Sequence, residues 1–193
     1  MSRGKEIVRV ASAQGFWGDS LEAPRRQVEG GEIDYLMLDY LAEVTMSILQ
    51  KQKERDPNMG YARDFVGAVE SVVPGVAKRG VKIVANAGGV NPRACALAVR
   101  DVLAKHKAGN VKIGIVTGDD LLPRLDELLA AGHELRNMDT GETLDTVRDR
   151  VLSANAYLGS RPIIGALGRG AQIVITGPST DTALTMAPLR YEF

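Results

Sequence analysis

The sequence predicts an α/β fold: a mainly parallel, twisted sheet flanked by helices in a Rossmann-like three-layer arrangement, with a small β-hairpin excursion. Three observations carry this. Five short runs are rich in β-branched and apolar residues and are nearly continuous in apolar character, as strands covered on both faces are. Stretches of helical periodicity separate them. Each run ends in a short polar residue, Asp or Asn, and four of the five add glycine.

Along the chain, the first strand is expected over Ile7 to Ser12, followed by Gly15-Phe16-Trp17-Gly18-Asp19 and a capping box, Asp19-x-x-Glu22, that opens a short helix. Ile33 to Leu38 forms the second strand and Leu41 to Lys53 a helix. Tyr61 to Arg79 spaces Phe65, Val66, Val69, Val72, Val73 and Val76 by threes and fours, with Pro74 expected to kink the last turns. Val81 to Ala85 is the third strand. Asn91-Pro92 reads as an N-cap with proline at the first helical position, and Gly109 sits where that helix would stop. Val111 to Thr117 is the fourth strand, and Leu121 to Ala131 a helix. Glu134-Leu135-Arg136 and Glu142-Thr143-Leu144 flank the tight-turn sequence Asp139-Thr140-Gly141, the expected hairpin. Leu144 to Ala156 and Pro162 to Gly168 are expected helices before the fifth strand, Ala171 to Thr176.

Composition narrows the function classes. The chain has 193 residues, 45% hydrophobic and 25% charged, enough to bury a full core in a single α/β domain spanning 1–193. Lys+Arg 24 balances Asp+Glu 24, so no bulk charge argues for nucleic acid or an anionic membrane, and a small-molecule ligand is expected instead. One cysteine forbids an internal disulfide framework and points to a reducing, cytoplasmic compartment. The N-terminus, MSRGKEIVRVAS, carries no long apolar stretch, so neither signal peptide nor anchor is expected there. Glycine, at 21 residues, exceeds its usual share of roughly 7%. Its placement is informative.

In an open parallel sheet, ligands bind outside the carboxyl ends of the strands. If the strands are parallel, one edge collects Gly15 and Asp19, Asp39 and Glu43, Asn86, Gly88, Gly89 and Asn91, Asp119 and Asp120, and Thr176 and Asp181. Glycine lets the backbone approach a ligand, and a following helix N-terminus offers N–H groups to a carboxylate or phosphate. Asp39 and Glu43, four apart at an expected helix start, suit an acid/base pair or cation ligands, though helix-dipole stabilisation explains them equally well. One of Asp119 and Asp120 reads as an N-cap. Cys95 reads as packing among Ala94, Ala96 and Leu97 rather than as a nucleophile. Two separated histidines with one cysteine do not make a structural zinc site. Gly15-x-x-Gly18 lacks the rest of a dinucleotide fingerprint or P-loop, and no cofactor is implied.

Several strings in order, Gly15-Phe16-Trp17-Gly18-Asp19, Asp39-Tyr40-Leu41-Ala42-Glu43-Val44-Thr45, Asn86-Ala87-Gly88-Gly89-Val90-Asn91-Pro92, Gly118-Asp119-Asp120-Leu121, Asp139-Thr140-Gly141-Glu142, Asn155-Ala156-Tyr157-Leu158-Gly159 and Thr176-Gly177-Pro178-Ser179-Thr180-Asp181, resemble the N-terminal portion of the acyclic terpene utilisation family, AtuA type. The resemblance runs over almost the whole chain. It implies a place in the catabolism of citronellol- and geraniol-like compounds through acyl-CoA intermediates. It also implies a longer family architecture, hence a homo-oligomer or a partner chain supplying a C-terminal part. The residues carried over are Asp39, Glu43, Asn86, Asn91, Asp119, Asp120, Asn155 and Asp181. Pro178 departs from the pattern, which has arginine there, and the loss of that cation weakens any anion-binding role for the fifth loop. The expectation that follows is an enzyme, or enzyme core, using Asp39, Glu43 and Asp119 or Asp120 for acid/base chemistry on a carboxylate or acyl-CoA ligand. A non-catalytic binding or assembly subunit is the alternative.

Overall fold

The computed structural model describes residues 6–193. Its strands are β1 (Val10–Gln14), β2 (Tyr35–Leu38), β3 (Lys82–Ala85), β4 (Ile113–Val116) and β5 (Ile173–Thr176). Seven α-helices accompany them: α1 (Ala23–Gly30), α2 (Glu43–Arg55), α3 (Asp64–Arg79), α4 (Pro92–Lys105), α5 (Leu125–Ala130), α6 (Ser160–Gly168) and α7 (Asp181–Glu192). All strand pairings are parallel and the order across the sheet is β1-β2-β3-β5-β4. The sheet is open, so the expected α/β class holds.

Period-two alternation sorts side chains onto two buried faces. Leu36, Leu38, Ile83, Ala85, Ile173 and Ile175 face a core built with α1, α3 and α4. Tyr35, Val84 and Val174 face a second core with α6 and α7. Burial on both sides is why the strands read as continuous apolar runs.

The order of steps across the sheet explains the two layers. Each parallel crossover has the same hand, so successive steps in one direction keep their helices on one face, and the backward step from β4 to β5 places α6 on the other. Chains leaving β3 and β5, which are neighbours, therefore depart to opposite faces. That divergence is a topological switch point, the place at the carboxyl ends where open α/β sheets bind ligands.

Several expectations change. β1 begins at Val10 rather than Ile7, because pairing starts where Arg9 meets Asp34 and Tyr35 at the head of β2. Ile7 has no strand beside it and is 62% exposed. The Asp19-x-x-Glu22 capping box does not form: Glu22 precedes α1 without a side-chain cap, and Asp19 instead accepts from Gly15 N–H at 3.1 Å and Ser20 N–H at 2.7 Å. The expected hairpin keeps its turn, with Asn137 N–H donating to Glu142 at 2.8 Å, but forms no strands. Two short strands without a neighbouring sheet or core have no surface to bury. Leu144 to Ala156 is not a helix but two single 3-10 turns, Leu144–Thr146 and Arg148–Arg150, followed by extended chain. Leu121 to Ala131 divides into a 3-10 turn at Leu122–Arg124 and the short α5. Pro74 lies within α3 and is accommodated there, and α4 ends at Lys105, before Gly109. The periodicity reading also passed over α7.

Candidate functional site

Parallel pairing places all five strand ends on one edge, as expected, but the residues there are not equivalent. Two carboxylates follow the strands that border β3 and β5, and only the second lines a cleft. Asp39 follows β2, next to β3; Asp119 follows β4, next to β5.

Asp39 is held by Asn86 at the end of β3. The Asn86 Nδ2 donates to Asp39 Oδ1 at 2.5 Å, while Asn86 Oδ1 accepts from Tyr40 N–H at 2.7 Å. Burial raises the Asp39 pKa above its ordinary value, the Asn86 and Leu41 hydrogen bonds oppose that rise, and the Asp181 carboxylate adds to it. Glu43 opens α2, whereas Asp39 lies in the preceding loop, so the two do not share a helix face as expected. Both act electrostatically on Tyr157 instead. Its phenol pKa is raised by burial and then by the Glu43, Asp181 and Asp39 carboxylates.

Asp119 is 5% exposed. Asn155 Nδ2 donates to its Oδ2 at 2.9 Å. Burial raises its pKa; hydrogen bonds from its own N–H and from Asn155 oppose the shift, Asp120 adds to it and the Lys53 ammonium lowers it. The carboxylate lies against Gly177, where a Cβ would stand 2.9 Å from Asp119 Oδ2. Glycine at 177 is therefore what lets this acid sit beside β5. Asp120 Oδ1 accepts from Leu122 N–H at 3.1 Å in a local turn, but the N-cap expected of one of the pair does not form, since Leu121 holds the cap position of the 3-10 turn at Leu122–Arg124 without a side-chain bond.

An extended strap after the excursion assembles this half of the site. Asp120 bridges Asn155, Ala156 N–H donates to Asp119 O at 2.8 Å, and Leu158 bridges Ser179. The strap crosses the ends of β4 and β5, placing Asn155 and Tyr157 on the site. Helix α2 covers the edge from the other side: Lys53 donates to Val90 O at 2.8 Å. Between strap and helix lies a cleft of about 210 Å³ whose walls include Gln50, Lys53, Asp119, Asp120, Leu152 and Asn155.

Other candidates are occupied by the fold. Within the glycine-rich loop, the N–H groups of Gly88, Gly89, Val90 and Asn91 all donate to carbonyls, so that loop does not present the open N–H row expected of an anion cradle. Its glycines serve close packing: a Cβ on Gly88 would come within 2.5 Å of Thr176 O, and one on Gly89 within 2.5 Å of Leu49. Asn91 caps α4 at Ala94 N–H and clamps Pro57 O and Met59 O. Thr176 is buried, its hydroxyl donating to Gly177 O at 2.7 Å. Gly15 and Asp19 close a local turn at the outer strand, and those backbone donors hold the Asp19 carboxyl below its usual range. Cys95 is wholly buried with its thiol pKa pushed up, the opposite of activation. Among the described residues no three His, Cys, Asp or Glu side chains are placed to hold a metal ion together.

Sequence reasoning missed Lys53, Gln50 and Tyr157. Tyr157 carried a signal: in extended chain it faces the same side as Asn155, two residues earlier. Lys53 and Gln50 carried none, because a polar residue on an amphipathic helix reads as solvated until the helix is placed.

Compared with known proteins, the chain matches the model of the family described as acyclic terpene utilisation family protein AtuA over residues 8–193. No curated relative and no solved structure matches it. No helix among the described residues is long and apolar enough to cross a membrane.

Proposed function

The chain belongs to the acyclic terpene utilisation family, AtuA type, and on that premise we propose that it acts on a branched carboxylate or acyl-CoA ligand by proton transfer at the carboxyl edge around the β3–β5 switch point. The observation that carries the reading is the pair of half-buried and buried acids, Asp39 and Asp119, each oriented by an asparagine from another segment. Burial holds both protons more tightly than water would, which brings each acid closer to a useful general acid or base near neutral pH. Asn86 and the Leu41 N–H both engage Asp39 Oδ1, so that carboxyl keeps Oδ2 for proton exchange. Lys53, whose field reaches Asp119, is the cation suited to a ligand carboxylate or thioester carbonyl in the cleft.

The test is Asp119→Asn and Asp39→Asn, assayed for binding of branched acyl-CoA thioesters by calorimetry and for solvent deuterium entering the ligand by NMR. Retained binding with exchange lowered about 10²- to 10⁴-fold is expected. Undiminished exchange in both variants, or no binding by the unaltered chain, overturns the reading.

A further inference from the structure

Two surfaces of this chain lack partners and match each other. The first is the open side of the sheet. Among the described residues β4 pairs only with β5, so one row of its backbone N–H and C=O groups has no strand beside it there. Next to that row lies a groove of about 520 Å³ whose walls include Arg93, Leu97, Arg100, Ile113 and Ile115. Leu97 is 45% exposed and Ile115 41%. On the opposite face of β4 a depression of about 300 Å³ carries Lys112 and Arg169. Among the described residues Arg93, Lys112 and Arg169 have no acidic partner, while Arg100 pairs only with its neighbour Asp101.

The second surface is the excursion between β4 and α6. No residue from Asp126 to Ser153 is buried, although Leu135, Met138 and Val147 are apolar, and Met138 is fully exposed. From Leu121 to Ser153 the chain carries seven carboxylates against four arginines. Arg124, Arg136 and Arg148 are taken by Glu127, Glu134 and Asp126. Asp139, Glu142, Asp145 and Asp149 face no cation within the described chain.

We propose that the excursion is a docking arm for a second copy of this chain, its apolar side chains entering the β4–α4 groove and its free carboxylates meeting Arg93, Lys112 and Arg169, reciprocally in both directions. Apolar area of this kind is normally covered, and opposite charge around it sets the partner. An acidic arm and a basic groove on one chain make a second copy the matching occupant. Self-pairing of like surfaces, groove on groove, would instead bring unpaired cations together.

The experiment is a charge reversal read by light scattering on the full chain. The unaltered chain is expected at twice the single-chain mass. Arg93→Glu/Lys112→Glu, which reverses one cation on each face of β4 around the groove, and arm-reversed Asp139→Lys/Glu142→Lys should each fall to single-chain mass. An equimolar mixture of the two variants should return to double mass, since each arm then meets a groove of opposite sign; that recovery also shows that both variants are folded. An unaltered chain that stays single at every concentration, a dimer that survives both reversals, or a mixture that stays single overturns the proposal. Binding of a synthetic acidic, apolar peptide to a single-chain protein also overturns it, in favour of a different partner.

Discussion

The individual side chains of the site are defined by what each must give up to be buried. Asp119 exchanges hydration for Asn155 and its own backbone N–H, and the balance favours the neutral acid. Between the ordinary aspartate value of 3.8 and its raised folded value, the folded chain holds a proton that the unfolded chain has lost. Stability from this group therefore falls as pH rises through that window and stays lower above it. Asp119→Asn keeps an oxygen for Asn155 and removes the buried charge. Its melting temperature should exceed that of the unaltered chain near neutral pH, and the gain should vanish below the ordinary aspartate value; scanning calorimetry across pH checks this, and an unchanged difference at all pH values counts against it. Asp39, Asn86 and Asp119 were legible in sequence because short polar residues end apolar runs, whereas Asn155 ends no strand and came only from the family resemblance. Their pairing was not, since Asp39 and Asn86 lie on different strands and Asp119 and Asn155 are joined only by the strap.

Among the elements, the glycine-rich loop after β3 shows how a motif can be read correctly for place and differently for purpose. Gly88-Gly89 lies at the carboxyl edge, but its N–H groups are spent within the fold. What the loop requires is closeness: Gly88 packs against Thr176 O and Pro92, joining the β3 and β5 ends at the switch point. Gly88→Ala forces a methyl against backbone, which cannot yield as a side chain would. A loss of about 1–3 kcal/mol is expected in urea unfolding, with weaker ligand binding because the β3 and β5 ends are forced apart. Gly18→Ala is a contrasting change: space is open around it, and the cost there comes from φ +101° alone. The hairpin and the Leu144 to Ala156 helix failed for a shared reason. Turn chemistry and local periodicity predict elements only where a core receives them, and the excursion has none.

At the scale of the whole molecule, one layer was visible early and the other was not. α3 and α4 carry strong apolar stripes, whereas α7 is mixed in pattern and contributes Ala183, Leu184 and Ala187 to the second core. It also brings Glu192 to a buried position where Tyr35 donates to it at 2.5 Å and Lys82 pairs with it at 3.2 Å. Removing 181–193 uncovers the Tyr35, Val84 and Val174 face, so the truncated chain should lose its cooperative thermal transition and bind hydrophobic dye. Replacing 135–141 with a short flexible linker, by contrast, touches no buried residue and should leave the transition intact. The sequence by itself determined the α/β class, the parallel strands and the presence of acids and amides at their carboxyl ends, because burial on two faces and strand ends leave local marks. Strand order, the β3–β5 switch point, the strap that delivers Asn155 and Tyr157, and the cleft that Lys53 shares with Asp119 were decided only in three dimensions. They depend on contacts between segments far apart in the chain, and no local spacing records which strand lies beside which.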